Sequence, residues 1–193
     1  MELLTRRCFL GTAMTLLALR IAESWPCDAA EQPTPSCGSD EPTMSETEGP
    51  YFKPSSPERR SLLEPGLKGP QVFLTGSVIS IACRPVARAL LDFWQADARG
   101  EYDNSGFRLR GHQYTDMMGR YQLETVLPGR YGGRTRHIHV KVQAPGTSVL
   151  TTQLYFPGER ANLEDWLFRR ELLMATREGA DRIEAQFGFV IHA

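Results

Sequence analysis

The chain has 193 residues, with 22 Lys or Arg against 23 Asp or Glu and a formal net charge of −1. That length holds one ordinary domain plus a tail, and the charge balance argues against a nucleic-acid partner. Hydrophobic residues make up 41% and charged residues 23%, a globular composition, while 17 Gly and 13 Pro exceed what a helix bundle tolerates.

The N-terminus reads Thr5-Arg6-Arg7-Cys8-Phe9-Leu10-Gly11, then an apolar run closed by Arg20. This is the layout of a secretory leader, and the paired arginines resemble the twin-arginine export signal. The run is shorter than the roughly 20 residues a bilayer span needs. Residues 1–29 are therefore read as a signal peptide, with cleavage near Cys27-Asp28-Ala29 and no stable membrane anchor after its removal. An amphipathic N-terminal helix packed on the domain is the alternative. Export places the protein in a periplasmic or extracellular, oxidising compartment. Two of the four cysteines leave with the leader, and the remaining Cys37 and Cys83 are expected to form a bridge.

Residues 30–69 carry Pro33, Pro35, Pro42, Pro50, Pro54, Pro57 and Pro65. Such a segment cannot be continuous helix or central strand, so an extended arm over the domain surface is expected. From residue 70 the pattern becomes strand-like, with strands expected at 72–79, 89–95, 113–116, 120–125, 137–142, 149–156 and 183–190. Gly, Pro and Asp punctuate them. Short strands at this spacing predict an all-β, antiparallel β-sandwich over 70–193 with little helix. Residues 163–176 hold Trp166, Leu167, Leu172, Leu173 and Met174 and read as one or two short helices. No G-x-G-x-x-G, P-loop or G-x-S-x-G motif occurs, so nucleotide binding and serine-dependent acyl transfer have no support.

The sharpest local feature is His137-Ile138-His139. On a strand, residues i and i+2 face the same way, so both imidazoles project together and can share one metal ion. Two ordinary polar residues on a strand would look the same. Tyr131 lies in the turn-forming Pro128-Gly129-Arg130-Tyr131-Gly132-Gly133, and Tyr102 in the polar loop 95–104. Taken alone, either reads first as a hydrogen-bonded structural tyrosine.

With the motifs Thr47-Glu48-Gly49-Pro50-Tyr51-Phe52, Leu91-Asp92-Phe93-Trp94-Gln95-Ala96-Asp97, Thr115-Asp116, Gly119-Arg120-Tyr121, the His-x-His strand and Thr151-Thr152-Gln153-Leu154-Tyr155-Phe156, the sequence resembles the intradiol ring-cleavage dioxygenases. The resemblance implies a transthyretin-like sandwich that binds Fe(3+) through Tyr102, Tyr131, His137 and His139. It implies that Tyr131 is the dissociable ligand, that Arg134 stabilises negative charge on the substrate, and that Gln153 lines the same pocket. It implies a small aromatic diol and O2 as reactants, with the ring opened between its hydroxylated carbons to a muconate-type diacid. Fe(III) is a hard Lewis acid that favours anionic oxygen donors, which suits phenolate ligands. The short stretch from Tyr131 to His137 and the lack of a long N-terminal helical region look like the small exported branch of the family. Catechol, hydroxyquinol, protocatechuate and lignin-derived diols all remain open as substrates, and so does the oligomeric state. A transthyretin-like binding or partner module without iron chemistry is the main alternative, and a ferrous site completed by a carboxylate ranks third. Arg136 should face away from Arg134. His112 is expected in a structural hydrogen bond and His192 in solvent.

Overall fold

The computed structural model describes residues 41–193. The leader, the first part of the arm and Cys37 lie outside the described residues. Cys83 is disulfide-bonded.

Among the described residues, nine strands form two sheets. They are β1 (Gln71–Ser80), β2 (Leu90–Trp94), β3 (Arg110–Tyr114), β4 (Arg120–Val126), β5 (His137–Gln143), β6 (Leu150–Tyr155), β7 (Ala175–Glu178), β8 (Ile183–Gln186) and β9 (Phe189–Ile191). One sheet has the order β4-β1-β8-β7 with β9 also paired to β1, and the other has the order β3-β2-β5-β6. The sheets pack around one apolar core, as a two-layer sandwich must to hide its inward faces. Leu74 and Val78 of β1 and Leu123 of β4 meet Leu91 and Phe93 of β2, Ile138 and Val140 of β5 and Leu154 of β6, all fully buried.

The all-β sandwich agrees with expectation, and the structure adds detail that pattern alone did not give. The sheet containing β1 is mixed, because β8 and β9 run parallel to β1 while all other strand pairs are antiparallel. The strand expected at 183–190 is split in two. Phe187 leaves the ladder, its N–H bonding Thr75 O at 3.1 Å, and its carbonyl would lie 1.8 Å from any Cβ on Gly76. β3 begins earlier than expected and stops at Tyr114, because Thr115 turns its hydroxyl to Val86 O (2.7 Å) and accepts Ala89 N–H (2.8 Å). Residues 163–176 contain no α-helix. Two 3-10 turns, Arg160–Leu163 and Arg170–Leu172, lead instead into β7, an edge strand that sequence pattern did not reveal.

Strand periodicity sorts the β3-β2-β5-β6 sheet into two faces. Leu91, Phe93, Ile138, Val140 and Leu154 face the core, so Arg110, His112, Trp94, His137, His139, Gln153 and Tyr155 share the outer face. This face is not open to water. Residues 47–56 cross all four strands above it: Thr47 O accepts Gln153 Nε2 on β6 (2.8 Å), Gly49 lies over His139 on β5, Phe52 packs on Trp94 of β2 (4.9 Å), and Ser56 O accepts His112 Nδ1 on β3 (2.7 Å). The same segment continues along strand edges, where Arg59 N–H bonds His112 O (2.8 Å) and Leu62 N–H bonds Glu124 O (2.7 Å).

Candidate metal centre

His137 and His139 project from β5 into the space under this roof and are almost fully buried, at 4% and 3% exposure. Their Nε2 atoms approach to 3.2 Å. His137 Nδ1 donates to the Thr135 carbonyl at 2.7 Å, which puts the ring proton on Nδ1 and leaves the Nε2 lone pair facing inward. His139 is held differently, stacked on Trp94 with ring centroids 4.8 Å apart and planes 6° from parallel. Gly49 allows the close roof: its φ is +71°, and a Cβ there would reach 3.4 Å from His139 Cε1. Burial pushes both imidazoles down, His137 to about 4 with Arg134 adding to the effect, and His139 further with His137 adding to it. At neutral pH both rings are therefore neutral, the protonation state of a metal ligand.

Tyr102 comes from the loop after β2, and its hydroxyl lies 3.4 Å from His137 Nε2. Asp97 shapes that loop by accepting Arg99 and Glu101 N–H groups (2.8 and 3.1 Å), and Asp103 closes it by accepting Ser105, Gly106 and Arg108 N–H groups. Those bonds hold the Asp103 carboxyl well below the usual carboxylate range. The buried Arg110 guanidinium then donates to Asp103 O (3.2 and 3.0 Å) and to Tyr51 O (2.5 Å), tying loop to roof. Tyr51 stacks on Tyr102 with centroids 4.4 Å apart. Burial raises the Tyr102 phenol far above its ordinary value, opposed by Arg134 and Arg110. A phenolate here needs a stronger positive charge beside it.

Tyr131 stands edge-on to Tyr102, ring centroids 5.6 Å apart, and its hydroxyl makes a short hydrogen bond with that of Tyr51. Arg134 closes the turn after it, its N–H bonding Tyr131 O at 2.6 Å. The Arg134 side chain donates from Nε to both Asp165 oxygens (3.0 and 2.8 Å) and from Nη2 to Gln153 Oε1 (2.7 Å) and Tyr155 OH (3.2 Å). Arg136 points elsewhere, donating to Pro128 O and pairing with Glu159. The structure thus gathers His137, His139 and Tyr102 at one point, sets Tyr131 beside Tyr102, and joins Arg134 to Gln153 at the flank.

Among the described residues, no group of three or more His, Cys, Asp or Glu is arranged to hold a metal ion. The further donor that the structure sets beside the histidine pair is the Tyr102 hydroxyl. Two neutral imidazoles with adjacent phenols suit a hard, highly charged cation, the kind of charge that keeps a phenol ionised.

A family model described as Dioxygenase matches residues 47–192. The chain belongs to the intradiol dioxygenase family. A catechol 1,2-dioxygenase from Acinetobacter lwoffii is 32% identical over 158 residues, covering 68% of this chain and 55% of that one. The dioxygenase domain of a dioxygenase–carbohydrate-binding protein fusion from Streptomyces sp. SirexAA-E is 52% identical, with a TM-score of 0.77, covering 79% of this chain and 99% of that domain. The 3-chlorocatechol 1,2-dioxygenase of Rhodococcus opacus 1CP is 29% identical with a TM-score of 0.72, covering 80% and 74%. The chain spans about half the length of the catechol 1,2-dioxygenases it matches. Several residues around this candidate site had no assigned role on sequence grounds. Tyr51, Trp94 and Tyr155 stood inside recognisable motifs, where a role could have been sought, whereas Arg110 and Asp165 carried no signal of their own.

Proposed function

We propose that the protein is an iron(III)-dependent intradiol dioxygenase that opens the ring of a catechol-type diol between its hydroxylated carbons, inserting both atoms of O2. The observation that carries this reading is the meeting of His137 Nε2, His139 Nε2 and the Tyr102 hydroxyl at one buried point, with Tyr131 alongside. Tyr102, Tyr131, His137 and His139 would hold the iron. Bound there, iron(III) would supply the Lewis acidity that makes a catechol-type diol reactive toward O2.

The chain's own residues do the rest. The Thr135 carbonyl fixes the His137 tautomer so that Nε2 can donate. Tyr131, on its glycine-flanked turn, would be the ligand free to move away, and its oxygen would accept a proton from an incoming diol hydroxyl. Tyr51 OH, already bonded to Tyr131 OH, steadies the released phenol. Arg134 offers positive charge to the anionic substrate while Gln153 and Tyr155 hold its Nη2. The roof formed by residues 47–56 keeps water from the reacting groups and strengthens each charge interaction beneath it. The twin-arginine-type leader and the disulfide at Cys83 support an exported enzyme.

One visible spectrum of the iron-loaded protein, before and after catechol, tests the reading. A red-brown tyrosinate band that shifts on adding catechol, with Tyr102→Phe and Tyr131→Phe each weakening it, is expected. Iron-loaded protein without such a band would falsify the four-ligand assignment.

A further inference from the structure

The Asp165 side chain is fully buried, at 0% exposure, beside an Arg134 side chain only 16% exposed. Both Asp165 oxygens accept Arg134 Nε–H (3.0 and 2.8 Å), Oδ2 also accepts Thr135 N–H (2.9 Å), and Oδ1 accepts Leu167 N–H (3.0 Å). One carboxylate therefore grips the Arg134 guanidinium and the very next peptide N–H. Thr135 in turn fixes His137 through its carbonyl (2.7 Å) and bonds Asn162 Oδ1 through its hydroxyl (2.7 Å). With Nε committed to Asp165 and Nη2 to Gln153 and Tyr155, Nη1 is the end of the guanidinium fork with no hydrogen-bond partner among the described residues. A planar fork fixed along one edge presents its remaining donor in one direction only.

We propose that Asp165 is the positioning residue that orients Arg134 toward an anionic, catechol-type substrate. The assignment rests on the dioxygenase reading above. Asp165 touches no substrate in this role, because its oxygens are filled by Arg134 and the two backbone N–H groups. It acts through Arg134, so its effect on substrate should vanish when Arg134 is gone.

A double-mutant cycle on iron-loaded protein tests this, with Asp165→Asn and Arg134→Ala made singly and together. The readouts are kcat/KM for catechol, the Kd of 4-nitrocatechol from a spectral titration, and the melting temperature. Asp165→Asn should lower kcat/KM and raise Kd, together accounting for roughly a 10- to 100-fold loss, the scale on which a misplaced positioning group costs rate. In the Arg134→Ala background the same change should cost less than about 2-fold. Equal losses in both backgrounds mark Asp165 as merely structural and overturn the proposal, as does no loss in the native background. If Asp165→Asn is not recovered folded, Asp165→Glu keeps the carboxylate but displaces it, and the same cycle applies with the same criterion. Wild-type protein that binds 4-nitrocatechol without cleaving catechol would defeat the dioxygenase reading, while the Kd cycle still decides the role of Asp165.

Discussion

Gly100 is where the two tyrosine-bearing loops cross, and replacing it with alanine should damage the fold and the site together. Its φ is +90°, and a Cβ there would lie 2.0 Å from the Arg130 carbonyl oxygen. Gly129 faces it from the other loop, where an added Cβ would lie 2.3 Å from Gly100 N. Both N–H groups converge on Asp97 O, at 3.0 Å from Gly100 and 2.7 Å from Gly129. Tyr102 follows two residues after Gly100, and Tyr131 directly follows Arg130, so separating the crossing moves the tyrosines apart. Real Cβ contacts stay above about 3 Å, so the backbones must part by roughly 1 Å, an overpacking strain of about 1–3 kcal/mol. Left-handed backbone strain on alanine adds about 1–2 kcal/mol. A total near 3 kcal/mol should lower the melting temperature by roughly 6–12 °C in a chain of this size. Gly132→Ala is the control, because Gly132 also has positive φ (+50°) but has nothing within 4 Å of its Cβ position. It should lose only about 1 kcal/mol of strain energy. Thermal melts of the two variants, with the visible tyrosinate band of each after iron loading, check this. If Gly100→Ala melts no lower than Gly132→Ala and keeps the native band, the crossing does not set the tyrosine pair.

Two further perturbations follow from the buried charges. The His137 pKa is pushed down to about 4 in the folded protein, from an ordinary 6.5. Below pH 6.5 the unfolded chain therefore takes up a proton that the folded site refuses. Metal-free protein should lose about 3 kcal/mol between pH 6.5 and 4 from this ring, with no contribution above that window. Urea unfolding across this range, compared with His137→Gln, isolates the effect, and identical slopes in the two proteins would contradict it. Arg110 is buried at 1% exposure and spends three donor atoms on the carbonyls of Asp103 and Tyr51. Arg110→Met keeps the volume but strands those carbonyls and removes a positive charge that favours the Tyr102 phenolate. A loss of about 2–4 kcal/mol in urea unfolding and a lower iron content after dialysis are expected, and unchanged values of both would refute the clamp.

How far the sequence could be read depended on the range over which each feature is encoded. The His-x-His pair was legible because strand periodicity is local: two residues and one intervening Ile138 suffice to put both imidazoles on one face. The tyrosines were legible only through their motifs, since nothing in the Gly-Arg-Tyr-Gly-Gly turn shows that its ring meets one from the loop after β2. Asp165 was hidden by distance and by composition. It lies 30 residues from the Thr135 N–H that it holds, in a stretch whose apolar residues look like a helix face. In fact Leu163 and Trp166 are 89% and 80% exposed, so those side chains define no buried face. The single strand expected at 183–190 failed for a similar reason. Phe187-Gly188 fits strand composition, and only the close approach at Gly76 forces the break.

The proline-rich segment shows most clearly why a sandwich alone does not make this site. Composition changes at residue 70 because the strands begin there, yet the family match begins at residue 47. Thr47 is also the first residue of the roof, through its carbonyl on Gln153 Nε2. Remove the crossing residues and the outer face of β3-β2-β5-β6 would carry His137 and His139 in water. Their pKa values would then return toward 6.5, because burial is the largest cause of the depression in both. Tyr102 would lose the stacked Tyr51 ring, and Arg110 one of the two carbonyls that hold it. Proline suits this task because the segment must stay extended across four strands without joining either sheet, and a residue with fixed φ and no N–H can do both. The strands therefore place the imidazoles, the loops bring the tyrosines, and the arm sets the dry, low-dielectric surroundings that keep both imidazoles neutral.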